Sequence, residues 1–281
     1  MNTIQKYLES PDVTKLAKST RDLYGYALGH LWDFLNKDPA WIDTVNMPGF
    51  AAYLESKNLS GKSIQQYLTC TKIFLKWAGY PTDFTYKISN EDRQTNKRKH
   101  LDRWFSKADI DKCLAYKFEN CNGSSLMYRV IVRLLEETGC RVGELATVTI
   151  GDIHIEDRYL FVHGKTEPRP VIISDETAMM LDQYLATIIS FSPDMKVFPQ
   201  VGKIKAVITK MLENLGLKNG NDGRGPHTFR HYTATYLFYQ CDMRLEDIAF
   251  LLGDKVETIR ERYLHPTPGM LRDRVYAAWN R

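Results

Sequence analysis

The stretch TGCRVGEL places a cation and a carboxylate at the start of a predicted helix. Gly139 ends one helix, Arg141 lies where the next begins, and Glu144 follows three residues later. The planar fork of an arginine matches two phosphate oxygens, and the N–H groups of a helix start attract anions. Arg141 is therefore a candidate phosphate ligand that Glu144 would hold in place. A surface Arg–Glu pair without a function is the simpler interpretation of this stretch taken alone.

The stretch GPHTFRHYTAT adds a second cation. His227 and Arg230 are three residues apart and share one face of a predicted helix that Thr228 can cap. A helix N-terminus that carries His and Arg favours anions, although an ordinary helix start has the same composition. His231 lies about 100° around the helix from Arg230. We therefore predict a structural role for His231.

Lys165 and Tyr263 supply a candidate proton donor and a candidate nucleophile. Lys165 lies at the tip of a predicted hairpin in HGKTEPR, from which it can reach into a groove, and Tyr263 stands near the end of LLGDKVETIRERYLHP. A phenol titrates near pH 10, so Tyr263 needs a neighbouring base or cations to attack at neutral pH. Taken singly, an exposed turn lysine and a tyrosine packed on the core are the plainer interpretations.

Together these residues predict phosphoryl transfer. Arginines can neutralise the non-bridging oxygens of a phosphate, a histidine can manage a proton, a lysine can protonate a leaving group and a tyrosine can attack. The sequence has no cluster of carboxylates spaced as a magnesium site. We expect the protein's own cations to stabilise the developing charge, with no metal and no cofactor.

The elements that must position these residues are mainly α-helical. Residues 1–88 predict a helical bundle in which Ile64, Phe74 and Trp77 point inward. The polar segment 89–103 predicts an interdomain linker, either solvated or lying along a phosphate backbone. Its candidate DNA-binding residues are Arg93, Lys97, Arg98, Lys99 and Arg103.

Residues 104–281 predict a second domain that is mostly α with a small β insert. Two β-rich runs, Tyr159–Val162 and Pro170–Ile173, flank a turn that contains Gly164 and indicate a hairpin. Helical patterns surround this hairpin, and a last helix is predicted within Pro268–Arg281.

Composition sets outer limits on the function. The length of 281 residues fits two domains, and the net charge of +4 permits a nucleic-acid partner without requiring one. The five cysteines are scattered without a C-x-x-C pair, which argues against a zinc site and fits a reducing compartment. No apolar run reaches the roughly 18 residues of a membrane helix, and the N-terminus lacks a signal-peptide core. We expect a cytoplasmic protein.

In their order along the chain, these stretches resemble the tyrosine recombinases, also called phage integrases or Xer-type site-specific recombinases. TGCRVGEL resembles the first-arginine box, HGKTEPRPVII the hairpin with the catalytic lysine, HTFRH the His-x-x-Arg box, and LLGDKVETIRERYLH the segment with the nucleophile. The N-terminal bundle and basic linker resemble the family's core-binding domain in pattern. The resemblance implies double-stranded DNA as the partner and a DNA-binding role for residues 1–88. It also implies that the protein is nucleoid-associated when bound to DNA.

The resemblance also implies a role for each residue. Tyr263 would attack a DNA phosphate and form a 3′-phosphotyrosyl link, while Arg141 and Arg230 stabilise the transition state. His227 would handle the proton of the nucleophile, and Lys165 would protonate the departing 5′ oxygen. The phosphoester energy stays in the covalent link, so no ATP is implied.

The resemblance further implies assembly, because recombination joins two duplexes and so involves four protomers. The last predicted helix, Pro268–Arg281, carries an apolar face that includes Leu271 and Trp279. We expect this helix to dock on a neighbouring protomer, with packing on its own domain as the alternative.

The sequence departs from the family at one site position. The family usually has His or Trp nine residues before the tyrosine, and Asp254 stands there. An aspartate can accept a hydrogen bond from the tyrosine hydroxyl, but its charge is unfavourable beside a phosphate unless Arg230, Lys255 or Arg260 screens it. Slower cleavage, or Lys255 acting instead, are both open.

Three alternatives remain at this point. RLEDIAFLLGDKVETIRERYLH also fits a helix-turn-helix, which would make the protein a DNA binder without catalysis and would leave Arg141, Lys165 and His227 unexplained. A type IB topoisomerase would use the same residues to relax supercoils, although the compact N-terminal bundle favours the recombinase. A recombinase that binds sites without cutting them is the third alternative, because of Asp254.

Overall fold

The chain forms two compact units, Met1–Arg98 and Lys99–Arg281. The computed structural model describes residues 3–38, 42, 45–89, 104–119, 124–164, 167–188, 192–264 and 268–279. The boundary between the units falls within 89–103, but residues 90–103 lie outside the described ranges. The linker and the domain limits 1–88 and 104–281 therefore stay predictions. So do the basic contacts proposed for Arg93, Lys97, Arg98, Lys99 and Arg103.

The first unit is helical in its described part. Its helices are α1 (Thr3–Leu8), α2 (Pro11–Thr14), α3 (Lys18–Phe34), α4 (Met47–Ser56) and α5 (Gly61–Trp77). Ser60 caps α5 by accepting a hydrogen bond from the backbone N–H of Ser63. Ile64 and Phe74 on this helix are buried as predicted, whereas Trp77 is 41% exposed. The Trp77 ring packs on Tyr7 of α1 at 5.0 Å, so it lies at the edge of the core rather than inside it.

The second unit surrounds a small antiparallel sheet with helices. The helices are α6 (Lys107–Ala115), α7 (Ser125–Thr138), α8 (Val142–Leu145), α9 (Asp175–Leu185), α10 (Val201–Asn214), α11 (Pro226–Tyr239), α12 (Leu245–Leu252), α13 (Val256–Thr258) and α14 (Pro268–Trp279). The strands are β1 (Ile153–His154), β2 (Tyr159–Val162) and β3 (Arg169–Ile172), in the order β1-β2-β3. The mainly α class is confirmed.

The hairpin differs from its prediction by one residue and one strand. The second strand begins at Arg169 rather than Pro170, because Arg169 pairs in register with Val162. Strand β1 was not predicted, since its two residues give no alternation to detect. It pairs with β2 through Ile153 opposite Leu160.

Helix α7 organises the core of the second unit. Its Val130, Ile131, Leu134 and Leu135 are fully buried, and it packs against α9 and α11, where Phe229 is fully buried. Burial of this many large apolar side chains contributes most of the stabilisation of such a unit. The packing also places the end of α7 beside the first turns of α11.

Two helix ends meet at the same place. Gly139 ends α7 and Gly253 ends α12, both with left-handed backbone conformations at φ 58° and 64°. A Cβ on Gly139 would lie 2.6 Å from Cδ2 of Leu252, so only glycine allows the two ends to approach this closely. The carbonyl groups of both helix ends consequently face a common region.

None of the helices in the described part of the chain has the length and apolar character that crossing a bilayer requires.

Candidate active site

Arg141 makes two hydrogen bonds with Glu144 at the start of α8. Its Nη1 donates to Oε1 of Glu144 at 2.8 Å, and its own backbone N–H donates to Oε2 of Glu144 at 2.8 Å. The predicted spacing of three residues therefore produces the predicted pair. One third of the Arg141 side chain stays exposed, at 34%. Arg141 is thus oriented by its neighbour and still accessible to a ligand.

Glu144 also binds an arginine that sequence reasoning missed. Nη2 of Arg169 donates to Oε2 of Glu144 at 2.8 Å, and Nη1 of Arg169 donates to the carbonyl of Leu251 at 2.6 Å. Arg169 lies on β3 in phase with Val171, and both residues are buried. The period of two along the strand places Arg169 on the inner face, where an arginine requires a carboxylate partner. The alternation of Arg169 with Val171 along the strand was the feature of the sequence from which its burial could have been predicted.

Arg230 is the largest fully buried side chain and lies between the two helix ends. Its Nη1 donates to the carbonyl of Gly139 at 2.8 Å, and its Nη2 donates to the carbonyl of Leu252 at 2.6 Å. Carbonyl groups at helix C-termini carry partial negative charge, which stabilises a buried guanidinium. The close approach of the two glycine-capped ends therefore builds the seat for Arg230.

Asp254 joins the two candidate phosphate-binding arginines. Its Oδ1 accepts from Nη2 of Arg141 at 2.6 Å, and its Oδ2 accepts from Nη2 of Arg230 at 2.5 Å. Burial raises the pKa of this carboxyl group, but the hydrogen bond and charge of Arg230 and the charge of Arg141 outweigh burial and leave the pKa below its ordinary value. The carboxylate is therefore ionised, and Arg230 and Arg141 screen its charge. Arg230 is one of the screening groups that the sequence analysis considered.

Tyr263 lies against this cluster at the end of a π-helical turn, Ile259–Tyr263. Its ring centroid is 5.3 Å from the guanidinium carbon of Arg230, and its carbonyl accepts a hydrogen bond from Oγ1 of Thr235 at 2.7 Å. The Tyr263 hydroxyl also helps to lower the pKa of Asp254 as a hydrogen-bond donor. Single π turns recur at functional sites, and this one points Tyr263 back at α11.

The same turn weakens the helix-turn-helix interpretation. Helix α13 has three residues, Val256–Thr258, before the π turn begins, and Ile259 is fully buried. A recognition helix requires an exposed face of several turns that enters the major groove. The segment between Gly253 and Tyr263 instead packs its middle into the core.

His227 lies in the first turn of α11, one turn before Arg230. Burial lowers the pKa of its imidazole, and the charges of Arg230, Lys205 and Arg141 lower it further, while Glu144 acts in the opposite direction. A histidine with a pKa below its ordinary value is neutral at pH 7, so its free ring nitrogen can accept a proton.

His231 is closer to the candidate nucleophile than its predicted structural role implies. Its ring centroid lies 4.7 Å from that of Tyr263 and 4.6 Å from that of Trp104, with the rings steeply inclined in both pairs. Residues 100° apart on a helix can still meet the same group when that group lies over the helix. His231 therefore helps to position the ring of Tyr263.

Lys165 lies outside the described residues, and its place in the site stays a prediction. The preceding residue is described. A Cβ on Gly164 would lie 3.2 Å from Oε1 of Glu144, so the chain entering the hairpin tip passes directly beside the pair of Glu144 and Arg141.

Comparisons with known proteins concern the same part of the chain. Residues 103–269 match the Phage integrase family, and this range spans all four stretches singled out in the sequence. The tyrosine recombinase XerA of Saccharolobus solfataricus is 26% identical over 261 residues, which cover 88% of this chain and 82% of the relative. The tyrosine recombinase XerD of Listeria innocua is 22% identical over 249 residues, covering 84% and 82%.

Solved structures support the fold. The XerH site-specific recombinase bound to a palindromic difH substrate in a post-cleavage complex aligns with a TM-score of 0.71 at 17% identity, covering 99% of this chain and 84% of that one. At this identity the similarity concerns the fold.

Proposed function

Because the chain belongs to the phage integrase family, whose model covers residues 103–269, we propose that it cleaves and rejoins DNA at specific sites through a 3′-phosphotyrosyl intermediate on Tyr263. One observation carries this proposal. Arg141, Arg230 and Tyr263 come from three separate segments, yet both arginines bind one carboxylate and the Tyr263 ring lies 5.3 Å from the guanidinium carbon of Arg230. A nucleophile beside two anion-binding groups is what phosphoryl transfer requires.

In the proposed reaction the phenolic oxygen of Tyr263 forms a bond to phosphorus, and the bond from phosphorus to the 5′ oxygen breaks. His227 is neutral and accepts the phenol proton, because burial and the nearby cations hold its pKa low. Lys165 donates a proton to the departing 5′ oxygen. A 5′ hydroxyl of a second strand then reverses these steps and joins new partners.

Charge stabilisation falls to the guanidinium groups of Arg141 and Arg230. Each presents N–H donors at a fixed angle, which suits the equatorial oxygens of a phosphorane-like transition state. Because one phosphoester replaces another, the step conserves energy, and we propose that it requires neither ATP nor a metal ion.

The proposed partner is a double-stranded DNA site. Arg93, Lys97, Arg98, Lys99 and Arg103 would neutralise phosphates along the segment between the two units. The net charge of +4 is compatible with this partner. Contacts of this kind position the duplex without selecting its sequence.

We further propose a tetramer on DNA in which α14 docks on a neighbouring protomer. Leu271, Val275, Tyr276 and Trp279 are exposed along α14, and Trp279 is 75% exposed. A cavity of about 440 Å³ in the second unit is lined by apolar side chains, among them Val171, Leu237, Met243 and Leu251. An exposed apolar helix face and an apolar cavity on the same chain are complementary between copies.

The assembly is tested by removing residues 268–281 and measuring the size of the DNA-bound species by sedimentation. We expect tetramers to be lost while binding of a single site persists. A narrower variant, Trp279→Asp, should weaken assembly in the same direction. Unchanged assembly in both variants would refute the docking proposal.

The chemistry is tested with a pool of nicked duplexes that carry a randomised core, so that the unknown site identifies itself. Covalent protein–DNA adducts are collected under denaturing conditions and sequenced. We expect adducts from the wild type in buffer with EDTA and none from Tyr263→Phe. Tyr26→Phe is the matched control, because Tyr26 is 68% exposed on the first unit. Absence of any adduct would favour a DNA-binding protein without catalysis.

A further inference from the structure

Asp254 uses both of its oxygens on the two arginines that the proposed function assigns to the scissile phosphate. Oδ1 accepts from Arg141 at 2.6 Å and Oδ2 accepts from Arg230 at 2.5 Å, in both cases from Nη2. A phosphate group would be held in the same way, with two of its oxygens bridging the two guanidinium groups.

Arg230 has no exposed surface, with a side-chain exposure of 0%. A DNA phosphate cannot reach it until a covering group moves. Two of its contacts, the carbonyls of Gly139 and Leu252, belong to helix ends, whereas Asp254 and the ring of Tyr263 are side chains that can move.

The guanidinium of Arg230 is only partly satisfied. Its Nε and Nη2 form the edge that binds an oxyanion with two parallel hydrogen bonds. Asp254 engages Nη2 of this edge. Nε is buried and has no hydrogen-bond partner among the described residues. A buried donor without a partner is costly, so this edge favours an anion that can fill both positions.

We propose that Asp254 is a displaceable stand-in for the scissile phosphate, occupying the oxyanion position shared by Arg141 and Arg230 until a DNA phosphate expels it. This inference rests on the proposed function, since it takes that arginine pair as the phosphate site.

The charge balance explains why the two anions exclude each other. Arg141, Arg169 and Arg230 carry three positive charges, and Glu144 and Asp254 carry two negative charges, which leaves a net charge of +1. With the Asp254 carboxylate removed, the same cluster carries +2 for one phosphodiester. Two anions at hydrogen-bond distance from the same donors repel each other strongly in a partly buried site.

The carboxylate acts as a specificity filter because it is part of the chain. An anion in free solution must compete with a carboxylate that is tethered to the chain beside the arginines and therefore has a high effective concentration. A phosphate delivered by DNA that is already bound elsewhere competes on equal terms. The position that the family fills with His or Trp would thereby restrict the arginine pair to anchored phosphates.

Asp254 is placed so that it can leave. It lies in the turn between α12 and α13, directly after Gly253, and its side chain is 14% exposed. Its carboxylate is held by the side chains of Arg141 and Arg230. Its departure would therefore open both arginines in the same step.

The test measures binding of inorganic phosphate to the full chain by ³¹P NMR or calorimetry. For Asp254→Asn we expect an affinity increase of about tenfold or more, because a like charge next to the ligand is removed. Asp247→Asn removes the same charge from an exposed pair with Arg244 and is the matched control. We expect its affinity to stay close to that of the wild type. Adding Arg230→Gln to Asp254→Asn should abolish the gain.

Thermal unfolding keeps the test informative if Asp254→Asn folds poorly. Without its carboxylate the two guanidinium groups face each other, so this variant should have a lower Tm that rises steeply with phosphate concentration. The Tm of the wild type and of Asp247→Asn should rise little. Equal phosphate affinity in Asp254→Asn and Asp247→Asn, weaker binding in Asp254→Asn, or parallel Tm shifts would each overturn the proposal.

These outcomes are separate from those of the adduct assay. A wild type that forms adducts while Asp254→Asn gains no phosphate affinity would sink the stand-in proposal and leave the recombinase function intact. A gain in phosphate affinity without any adduct would do the reverse.

Discussion

Two carboxylates in this protein each bridge two arginines, and they share Arg141. Glu144 joins Arg141 to Arg169, and Asp254 joins Arg141 to Arg230. Their ion pairs have similar lengths, between 2.5 and 2.8 Å. They differ in what else holds them. Glu144 lies within α8, is 6% exposed, and accepts the backbone N–H of Arg141, whereas Asp254 lies in a turn and is 14% exposed.

The difference shows that an ion pair alone does not decide whether a charged group is structural or displaceable. A backbone donor and a helical position fix Glu144 in one geometry, so it orients Arg141 permanently. The carboxylate of Asp254 depends on side-chain donors that an incoming phosphate would also use. The same chemistry therefore provides a scaffold on one side of Arg141 and a competitor on the other.

The largest effect on stability is expected from Glu144→Gln. Removing one partner from a buried ion pair leaves the other charge uncompensated, which costs about 3 to 5 kcal/mol. Here the stranded charge is the buried guanidinium of Arg169. The free energy of unfolding, measured by urea denaturation, should fall by that amount both with and without phosphate.

The contrast between a structural Glu144 and a displaceable Asp254 fails if phosphate restores the stability of Glu144→Gln. It also fails if Glu144→Gln loses less stability than Asp254→Asn. The first result would mean that both bridges are displaceable, and the second that Glu144 is not the more structural of the two carboxylates. Asp247→Asn serves as the control, and its unfolding should match the wild type.

A smaller loss is expected from Arg169→Gln. Glu144 keeps its bonds from the backbone N–H and Nη1 of Arg141, but the carbonyl of Leu251 loses its buried donor. Loss of hydrogen bonds to a charged group costs about 2 to 3 kcal/mol. Urea denaturation should show this loss, and the affinity for phosphate should change less than in Asp254→Asn. A gain as large as in Asp254→Asn would place Arg169 within the phosphate site.

The contacts within each stretch could be predicted from the sequence, and those between stretches could not. The pair of Arg141 and Glu144 follows from a spacing of three residues, and the shared face of His227 and Arg230 follows from the helical period. The bond between Arg141 and Asp254 joins residues 113 apart, and that between Arg169 and Glu144 joins residues 25 apart. Tertiary packing of β3 against α7 and α12 brings these segments together, and no local pattern encodes that geometry.

The limits of the fold prediction have the same cause. Helices with a strong apolar period, such as α5 and α7, were predicted because burial of one face determines them. The π turn at Ile259–Tyr263 was not predicted, because it depends on a hydrogen bond from the N–H of Leu264 to the carbonyl of Ile259 and on the contact of Tyr263 with α11. The contact between His231 and Tyr263 could not be predicted for the same reason.

Gly253→Ala tests the position that connects the two bridges. Gly253 precedes Asp254, adopts φ 64°, and leaves no room for a Cβ beside Nε of Arg169. A left-handed alanine costs about 1 to 2 kcal/mol by itself. Gly216→Ala is the matched control, because Gly216 has φ 67° and a Cβ there would meet nothing within 4 Å. The free energy of unfolding should fall further in Gly253→Ala than in Gly216→Ala.

Combining Gly253→Ala with Arg169→Ala isolates this contact. The excess loss over Gly216→Ala should shrink in the double variant, because Cδ and Nε of Arg169, the atoms that a Cβ on Gly253 would meet, are gone. An unchanged excess would mean that Gly253 is required for the turn itself and does not couple the bridge of Glu144 to that of Asp254.

The smallest expected effect concerns the positive charge that the two bridges leave uncompensated. Arg230, Lys205 and Arg141 lower the pKa of His227 in addition to burial, and Glu144 opposes them. Because its pKa is lowered, His227 stays neutral in buffers somewhat below the ordinary imidazole pKa of about 6.5. Adduct formation that needs the neutral ring should therefore decline only in more acidic buffer. Lys205→Gln removes one cation and should move this decline to higher pH, by a small amount because exposed charges are partly screened.

Lys203→Gln is the control for that shift, because Lys203 is also exposed on α10 and is not among the main charges that act on the pKa of His227. Adduct rates between pH 5 and 8 would give both curves. Equal shifts in the two variants would indicate a general loss of DNA affinity, and His227 would then not be the proton acceptor that senses the cluster. A shift in Lys205→Gln alone would link the loss of adduct formation at low pH to this imidazole and to the charge around Arg141 and Arg230. In His227→Gln the rate of adduct formation should be slow and independent of pH, so that no such decline remains.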